Sequence, residues 1–299
     1  MFWKKIFSKK NNVAQKGNNA QLIDSGCVKA VVMSDLGNVR TNNEDIGMFF
    51  RNTDEDILRE KGYMLIVADG MGGHLAGEVA SRTAAETISE TYFNQLANGS
   101  IEKNLSKAFA AANKKIYEMA ALNSNYRGMG TTCTSIVIIE QLIYYAHAGD
   151  SRAYLLKNNS ITRITKDHTY VQELVDASEI TMAEASTHAK RNILTNAMGT
   201  KPELRVDAGK YALLFQPNDK LLLCSDGLYE YISDEEMATI LTSMPLYEAA
   251  TCMINEAKKR GGHDNITVVL AERSASEKVV PAKETKDFDL PSTQEFDLP

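Results

Sequence analysis

The strongest constraint on the fold is a recurring junction in which a short apolar, β-branched run meets an aspartate in a glycine-bearing turn. YMLIVA at 63–68 leads into Asp69 and Gly70, LLLC at 221–224 leads into Asp226 and Gly227, and Asp264 stands just before NITVVL at 265–270. Runs this short and this rich in Val, Ile and Leu read as core strands. Segments 133–139, 142–146 and 153–156 have the same character. Helical stripes lie among them: Ala80, Ala84 and Ile88; then Ile101, Leu105, Ala108, Ala112, Ile116 and Met119; and later Leu246, Ala250, Met253, Ile254 and Ala257. Gly99 and Ser100 separate the first two. The third ends in Lys258, Lys259, Arg260 and Gly261, where basic residues complement a helix dipole and glycine caps the end. That basic cluster is therefore a helix terminus rather than a phosphate patch.

Composition narrows the function classes. With 299 residues, 43% of them hydrophobic, the chain can bury a core as one large domain or two small ones. A formal charge of -6 argues against nucleic-acid binding, which draws on a concentrated basic face. Cys27, Cys133, Cys224 and Cys252 lack the close pairing of a zinc site and read as core thiols in a reducing compartment. No internal segment is long and apolar enough to cross a bilayer, so the expected location is cytoplasmic. The start, MFWKKIFSKKNN, mixes Phe2, Trp3, Ile6 and Phe7 with Lys4, Lys5, Lys9 and Lys10. It reads either as a weak membrane foot or as a basic tail.

Beyond about residue 274 the chain turns polar and acidic, and DFDLP at 287–291 recurs as EFDLP at 295–299. This is either a low-complexity tail or a doubled docking motif for a tail-binding protein. The expected organisation is an extension over 1–26, a globular domain over 27–272 and a tail over 273–299.

Five aspartates, Asp45, Asp69, Asp150, Asp226 and Asp264, sit at such Gly- or Asn-punctuated elements. Gathered by folding, they form the oxygen-donor set of a two-metal hydrolase, in which a cation pair activates water and neutralises a phosphoryl group. Gly70 adds a backbone position close enough for its carbonyl to serve as another hard ligand. The residues thus point to a metal-dependent phosphatase. A covalent phosphoenzyme is not expected, because neither Cys133 nor Cys224 belongs to a Cys-x5-Arg phosphate loop and Ser225 has no base placed by the sequence.

Eight segments in order resemble the motif series of the bacterial protein phosphatase 2C family of serine/threonine phosphatases. They are SDLGNVRTNNEDIG (34–47), VADGMGGHLAGEVAS (67–81), GTT (130–132), HAGDSRAYLL (147–156), DHT (167–169), NILTNAMG (192–199), CSDGLYEYIS (224–233) and GGHDNITVV (261–269). The resemblance covers about 28–270 and implies an α+β fold, a four-layer α/β/β/α sandwich of two antiparallel β-sheets flanked by helices.

It also implies roles. Asp69 becomes the bridging metal ligand, the Gly70 carbonyl its neighbour, and Asp226 and Asp264 the second metal's carboxylates. Asp45 belongs to the metal environment with Glu44 beside it, and Asp150 with Asp226 forms a third site. Arg40 becomes the phosphate-binding arginine, its planar fork suited to two phosphate oxygens. Thr131, Ser151, Asn192 and Asn265 are read as supports. Where eukaryotic relatives carry a histidine after the Asp-Gly pair, this chain has Met71, which transfers no proton. His74, His147, His168 and His263 are read as structural or orienting groups.

The implied activity is hydrolysis of phosphoserine and phosphothreonine in phosphorylated proteins, using Mn2+ or Mg2+ and opposing a serine/threonine kinase. The competing reading is a metal-binding pseudophosphatase that recruits partners through its tail. Segment 172–191 is expected to form an exposed helical flap beside the substrate cleft.

Overall fold

The structure is a computed structural model that describes residues 19–25, 27–72, 75–95 and 99–274. Its elements are β1 (Asn19–Asp24), β2 (Val28–Asp35), β3 (Asp45–Arg51), α1 (Glu55–Lys61), β4 (Tyr63–Met71), α2 (Leu75–Glu90), a π-helical turn (Thr91–Gln95) and α3 (Ile101–Leu122). Then come β5 (Gly130–Thr131), β6 (Cys133–Ile139), β7 (Leu142–Ala148), β8 (Arg152–Lys157), β9 (Ser160–Arg163), α4 (Tyr170–Asp176) and α5 (Met182–Thr187). The last are β10 (Asp207–Lys210), β11 (Lys220–Cys224), α6 (Asp226–Tyr229), α7 (Asp234–Ser243), α8 (Leu246–Lys259) and β12 (Ile266–Arg273).

One sheet runs β1-β2-β12-β11-β8-β9, the other β10-β7-β6-β4-β3, with β5 attached to β4. Every pairing is antiparallel. Side-chain parity builds the layers. Odd positions of β4, Leu65 and Val67, pack between the sheets with Val32, Ile136, Leu155, Leu223 and Val269. Even positions, Met64, Ile66 and Ala68, face α2 and α3 through Ala84, Ile88, Phe109 and Ile116. On the other flank Val31, Leu222 and Leu270 meet α7 and α8 through Leu241, Ala250 and Ile254. Both sheets are covered on both faces, which is why β11 is buried at all five positions and its sequence shows no polar alternation. The expected α/β/β/α sandwich is the observed one.

Some expected boundaries move. Asn19–Asp24, placed by sequence in the N-terminal extension, forms β1 and pairs residue by residue with β2. At the far end β12 continues to Arg273. β4 runs through Asp69 and Gly70 to Met71 instead of turning before them, because Gly70 and Met71 pair with Thr131 and Gly130 of β5. The expected flap consists of α4 and α5, each started by a threonine N-cap, Thr169 and Thr181, the latter forming a capping box with Glu184. The basic segment before residue 19 and the repeat at 287–299 lie outside the described residues. No helix among the described residues is long and apolar enough to cross a membrane.

Phe109 is fully buried between α3 and the sheet, whereas Lys107 lies on the exposed side of the same helix. Phe109→Ala is expected to cost about 3–5 kcal/mol of unfolding free energy. Lys107→Ala should change it by less than ~0.5 kcal/mol. Urea unfolding of both variants checks this orientation of α3.

Candidate metal and phosphate site

The parity that builds the core also aims the acidic residues. Asp69 lies two residues beyond Val67, on the inter-sheet face of β4, and Asp45 is its direct cross-strand partner on β3. Asp226 follows the end of β11 and opens α6, while Asp264 stands just before β12. A cleft of about 250 Å³ opens where these strand ends meet. Arg40, Glu44, Asp69, Gly70, Asp150, Asn192, Asp226, Asp264 and Asn265 all line it, together with Met71 and Thr132. Asp45 and Thr131 are buried behind it.

The loop carrying Arg40 is tied down at several points. Asn265 accepts from the Glu44 amide at 2.8 Å and donates to the Leu36 and Asn42 carbonyls at 3.0 and 3.1 Å. Asn38 donates to the carbonyls of Lys258 and Gly261, anchoring the same loop to the end of α8. Gly37 has φ +77 and a Cβ there would strike the Asp264 carbonyl, so only glycine fits. Gly70 is constrained by close approach: a Cβ would meet the Gly77 carbonyl and lie 2.6 Å from that of Glu44.

Hydroxyls fix the carboxylate-bearing backbone. Thr131 donates to the Asp69 carbonyl at 2.9 Å. Thr132 accepts from the Asp69 amide at 3.0 Å and bonds Ser151 at 2.7 Å. Ser225 donates to Asp45 at 2.8 Å. Roles for Thr132, Ser225 and Thr267, the last a further bond to Asp45, were missed by sequence reasoning, although all three sit inside quoted motifs, GTT, CSDGLYEYIS and GGHDNITVV.

Electrostatics single out the cluster. Burial, above all, drives Asp45 and Asp226 each up to about 7, with neighbouring carboxylates adding to the shift. Asp69 and Asp150 are raised well above the ordinary carboxylate range for the same reasons. Asp226 lies within hydrogen-bonding reach of Asp69, yet its Oδ1 is buried without a partner. Arg40 pairs with Asp264 at 2.6 Å. Burial opposes the Arg40 charge, but Asp264, with smaller contributions from Glu44 and Asp69, outweighs it and raises the pKa. The pair is 50% and 35% exposed, so its attraction is screened and exchangeable.

As the side chains stand, no three His, Cys, Asp or Glu among the described residues close to the spacing of a metal cage. The donor chemistry nevertheless fits hard divalent cations: all side-chain donors are carboxylate oxygens, one of them is an orphaned buried acceptor, and the Arg152 charge opposes the shift of Asp150 without cancelling it.

Three of the histidines singled out in the sequence have structural partners. His147 is held between the Thr134 hydroxyl and the Lys166 carbonyl, and burial pushes it down to about 4. His168 bonds Asp207 at 3.0 Å and accepts from the Gly149 amide, bracing the turn that carries Asp150. His263 bonds the Tyr231 hydroxyl. His74 lies outside the described residues. All four cysteines are free, and burial raises the Cys133 and Cys224 thiols, as inert core groups require.

Known proteins share this fold. The chain is 40% identical to the serine/threonine phosphatase stp of Listeria welshimeri over 249 residues, 82% of this chain and 96% of that one. The crystal structure of the Mycobacterium tuberculosis serine/threonine phosphatase PstP/Ppp superposes with a TM-score of 0.73 at 35% identity, over 83% of this chain and 99% of that one. A PstP catalytic domain in complex with two manganese ions matches with a TM-score of 0.68 at 34% identity, over 83% of this chain and 98% of that one. The family profile for protein phosphatase 2C matches residues 9–174, and the chain belongs to that family.

Proposed function

We propose that this chain hydrolyses phosphoserine and phosphothreonine in proteins with divalent cations held by Asp69, Asp226, Asp264 and the Gly70 carbonyl, and with Asp45 in the same environment. The observation that carries the reading is the buried carboxylate cluster with its orphaned Asp226 oxygen. The names of the relatives and the two manganese ions in the PstP domain support it. A third cation through Asp150 and Asp226 extends the proposal, with Mn2+ and Mg2+ both suited to oxygen donors.

Cations bound there supply a nucleophilic water near neutral pH and offset charge on the phosphoryl oxygens. The protein's own contributions are distinct. Asp264 turns from Arg40 toward the cation site, which frees the guanidinium fork for two phosphoryl oxygens. Asn265 and Gly37 keep the Arg40 loop at the rim, so parting of the Arg40–Asp264 pair is enough to present the fork. Thr131 and Thr132 hold the Asp69 backbone from both its amide and its carbonyl. Met71 offers no proton, so the leaving alkoxide takes its proton from water. In the cell the activity opposes a serine/threonine kinase. Retention of Arg40 beside every carboxylate disfavours a pseudophosphatase, which needs only the partner surface.

The purified chain is expected to hydrolyse an aryl phosphate with added Mn2+ and to stop in chelator. Asp69→Asn should lower kcat by at least ~100-fold. Arg40→Lys should lower kcat/KM by roughly ten- to a hundredfold, since lysine cannot make the bidentate pair. Retained turnover in Asp69→Asn would overturn the role given to Asp69, and no turnover in the wild type with any divalent metal would favour the pseudophosphatase.

The raised carboxylates set a pH signature. Asp45 has a folded value of about 7 against an ordinary 3.8, so its contribution to stability is present below the unfolded value and lost as pH rises through about 7. In chelator, the Tm of Asp45→Asn relative to wild type should rise between pH 5 and pH 8, and saturating Mn2+ should narrow the gap. A pH-independent difference by thermal melts would contradict the assignment of Asp45 to an uncompensated cluster.

A further inference from the structure

The ladder between β8 and β11 ends where Arg152 pairs with Cys224, and Asp150 and Asp226 each lie two residues past that rung. Continued in register, the two carboxylates face one another where the backbone hydrogen bonds of the ladder have ended. Asp226 is also the carboxylate whose charge bears most on Asp150. Like charges at the open end of a ladder part unless the segments that carry them are tied together. Asp226 is anchored from β12, since the Ser225 amide donates to the Thr267 carbonyl at 3.1 Å and the Ser225 hydroxyl accepts from the Thr267 amide at 3.0 Å. Asp150 has no such strand beneath it and depends on side chains.

Arg152, the first residue of β8, supplies the tie. Its Nε reaches both Asp167 oxygens at 3.1 Å and its Nη2 one of them at 2.7 Å. Next to Asp167, the His168 amide donates to the Gly149 carbonyl at 2.7 Å and its Nδ1 accepts from the Gly149 amide at 3.2 Å. Asp167 and His168 thus clasp the Asp150 turn from both sides. From this clasp the Arg152 guanidinium reaches over Tyr229, its central carbon 3.6 Å from the ring centroid. Tyr229 is the last residue of α6 and Asp226 the first, so one planar group joins the turn of Asp150 to the helical turn of Asp226. The fork fixes the guanidinium plane and the plane stacks on the ring, two demands that lysine does not meet. We propose that Arg152 is a positioning residue: through its Asp167 pair and its Tyr229 stack it ties the Asp150 turn to α6 and so sets the carboxylate separation of the third cation site. The proposal rests on the third-cation part of the function proposed above and names what builds that site.

The test titrates Mn2+ calorimetrically into chelator-stripped protein, with Asp150→Asn marking the binding step that belongs to the third site. Arg152→Lys and Tyr229→Leu should weaken that step about 10- to 100-fold and leave the other steps within about twofold. Tyr229→Phe, which keeps the ring, should match the wild type. In an Asp150→Asn background, Arg152→Lys should change Mn2+ uptake no further. Backbone amide NMR of the metal-free protein reads the tie itself: Tyr229→Leu should shift the Asp150 amide resonance, and Tyr229→Phe should leave it in place. Equal weakening of every step, or a third step indifferent to both Arg152→Lys and Tyr229→Leu, overturns the proposal. Uptake of only two ions by the wild type would sink the third-cation reading instead, with the Asp150 amide still deciding whether Arg152 ties the two segments.

Discussion

Burial of a carboxylate cluster, with mutual repulsion added to it, governs this molecule. Asp45, Asp69, Asp150 and Asp226 are withdrawn from water at one end of the inter-sheet layer, and each is held above its ordinary pKa by burial and by other carboxylates. An ionised carboxylate in such surroundings costs several kcal/mol unless it is paired. The nearby guanidiniums do not meet that need. Arg40 is half-exposed and bound to Asp264, and Arg152 is committed to Asp167. The cluster therefore calls for protons or divalent cations, and near neutral pH cations are the stronger partner.

A rigid scaffold is what makes such a cluster sustainable. Strand parity carries Asp69 and Asp45 onto the same face as Val67 and Phe49, at the end of a packed layer that cannot relax without opening both sheets. Hydroxyl groups of Thr131, Thr132 and Ser225 then fix the backbone and side chains locally. Glycine at positions 37 and 70 lets loop and helix backbones come close enough to define the rim. The short helices α4 and α5 stand beside the cleft without supplying any of the clustered carboxylates.

Much of this was legible in the residues. Helical periodicity located α3 and α8 because each buries one continuous stripe, and the apolar runs located β6 and β11 because both of their faces are covered. The aspartates stood out because each interrupts or borders a run that packing demands be apolar. Other features left no local trace. β1 is a polar edge strand, NAQLID, recognisable only once β2 is there to pair with it. The extension of β4 through Gly70 depends on β5, some 60 residues away in sequence. The Arg40–Asp264 pair and the support of Asp45 by Ser225 join residues far apart in the chain, which no periodicity can reveal.

The central claim is that distant carboxylates converge to hold divalent cations, and calorimetric titration of Mn2+ into chelator-stripped protein tests it most directly. The account predicts uptake of at least two ions per chain with proton release near pH 7, because cations displace protons from Asp45 and Asp226, and sharply weakened uptake in Asp226→Asn. Heat-silent titration at millimolar Mn2+, or unaltered binding in Asp226→Asn, would contradict it.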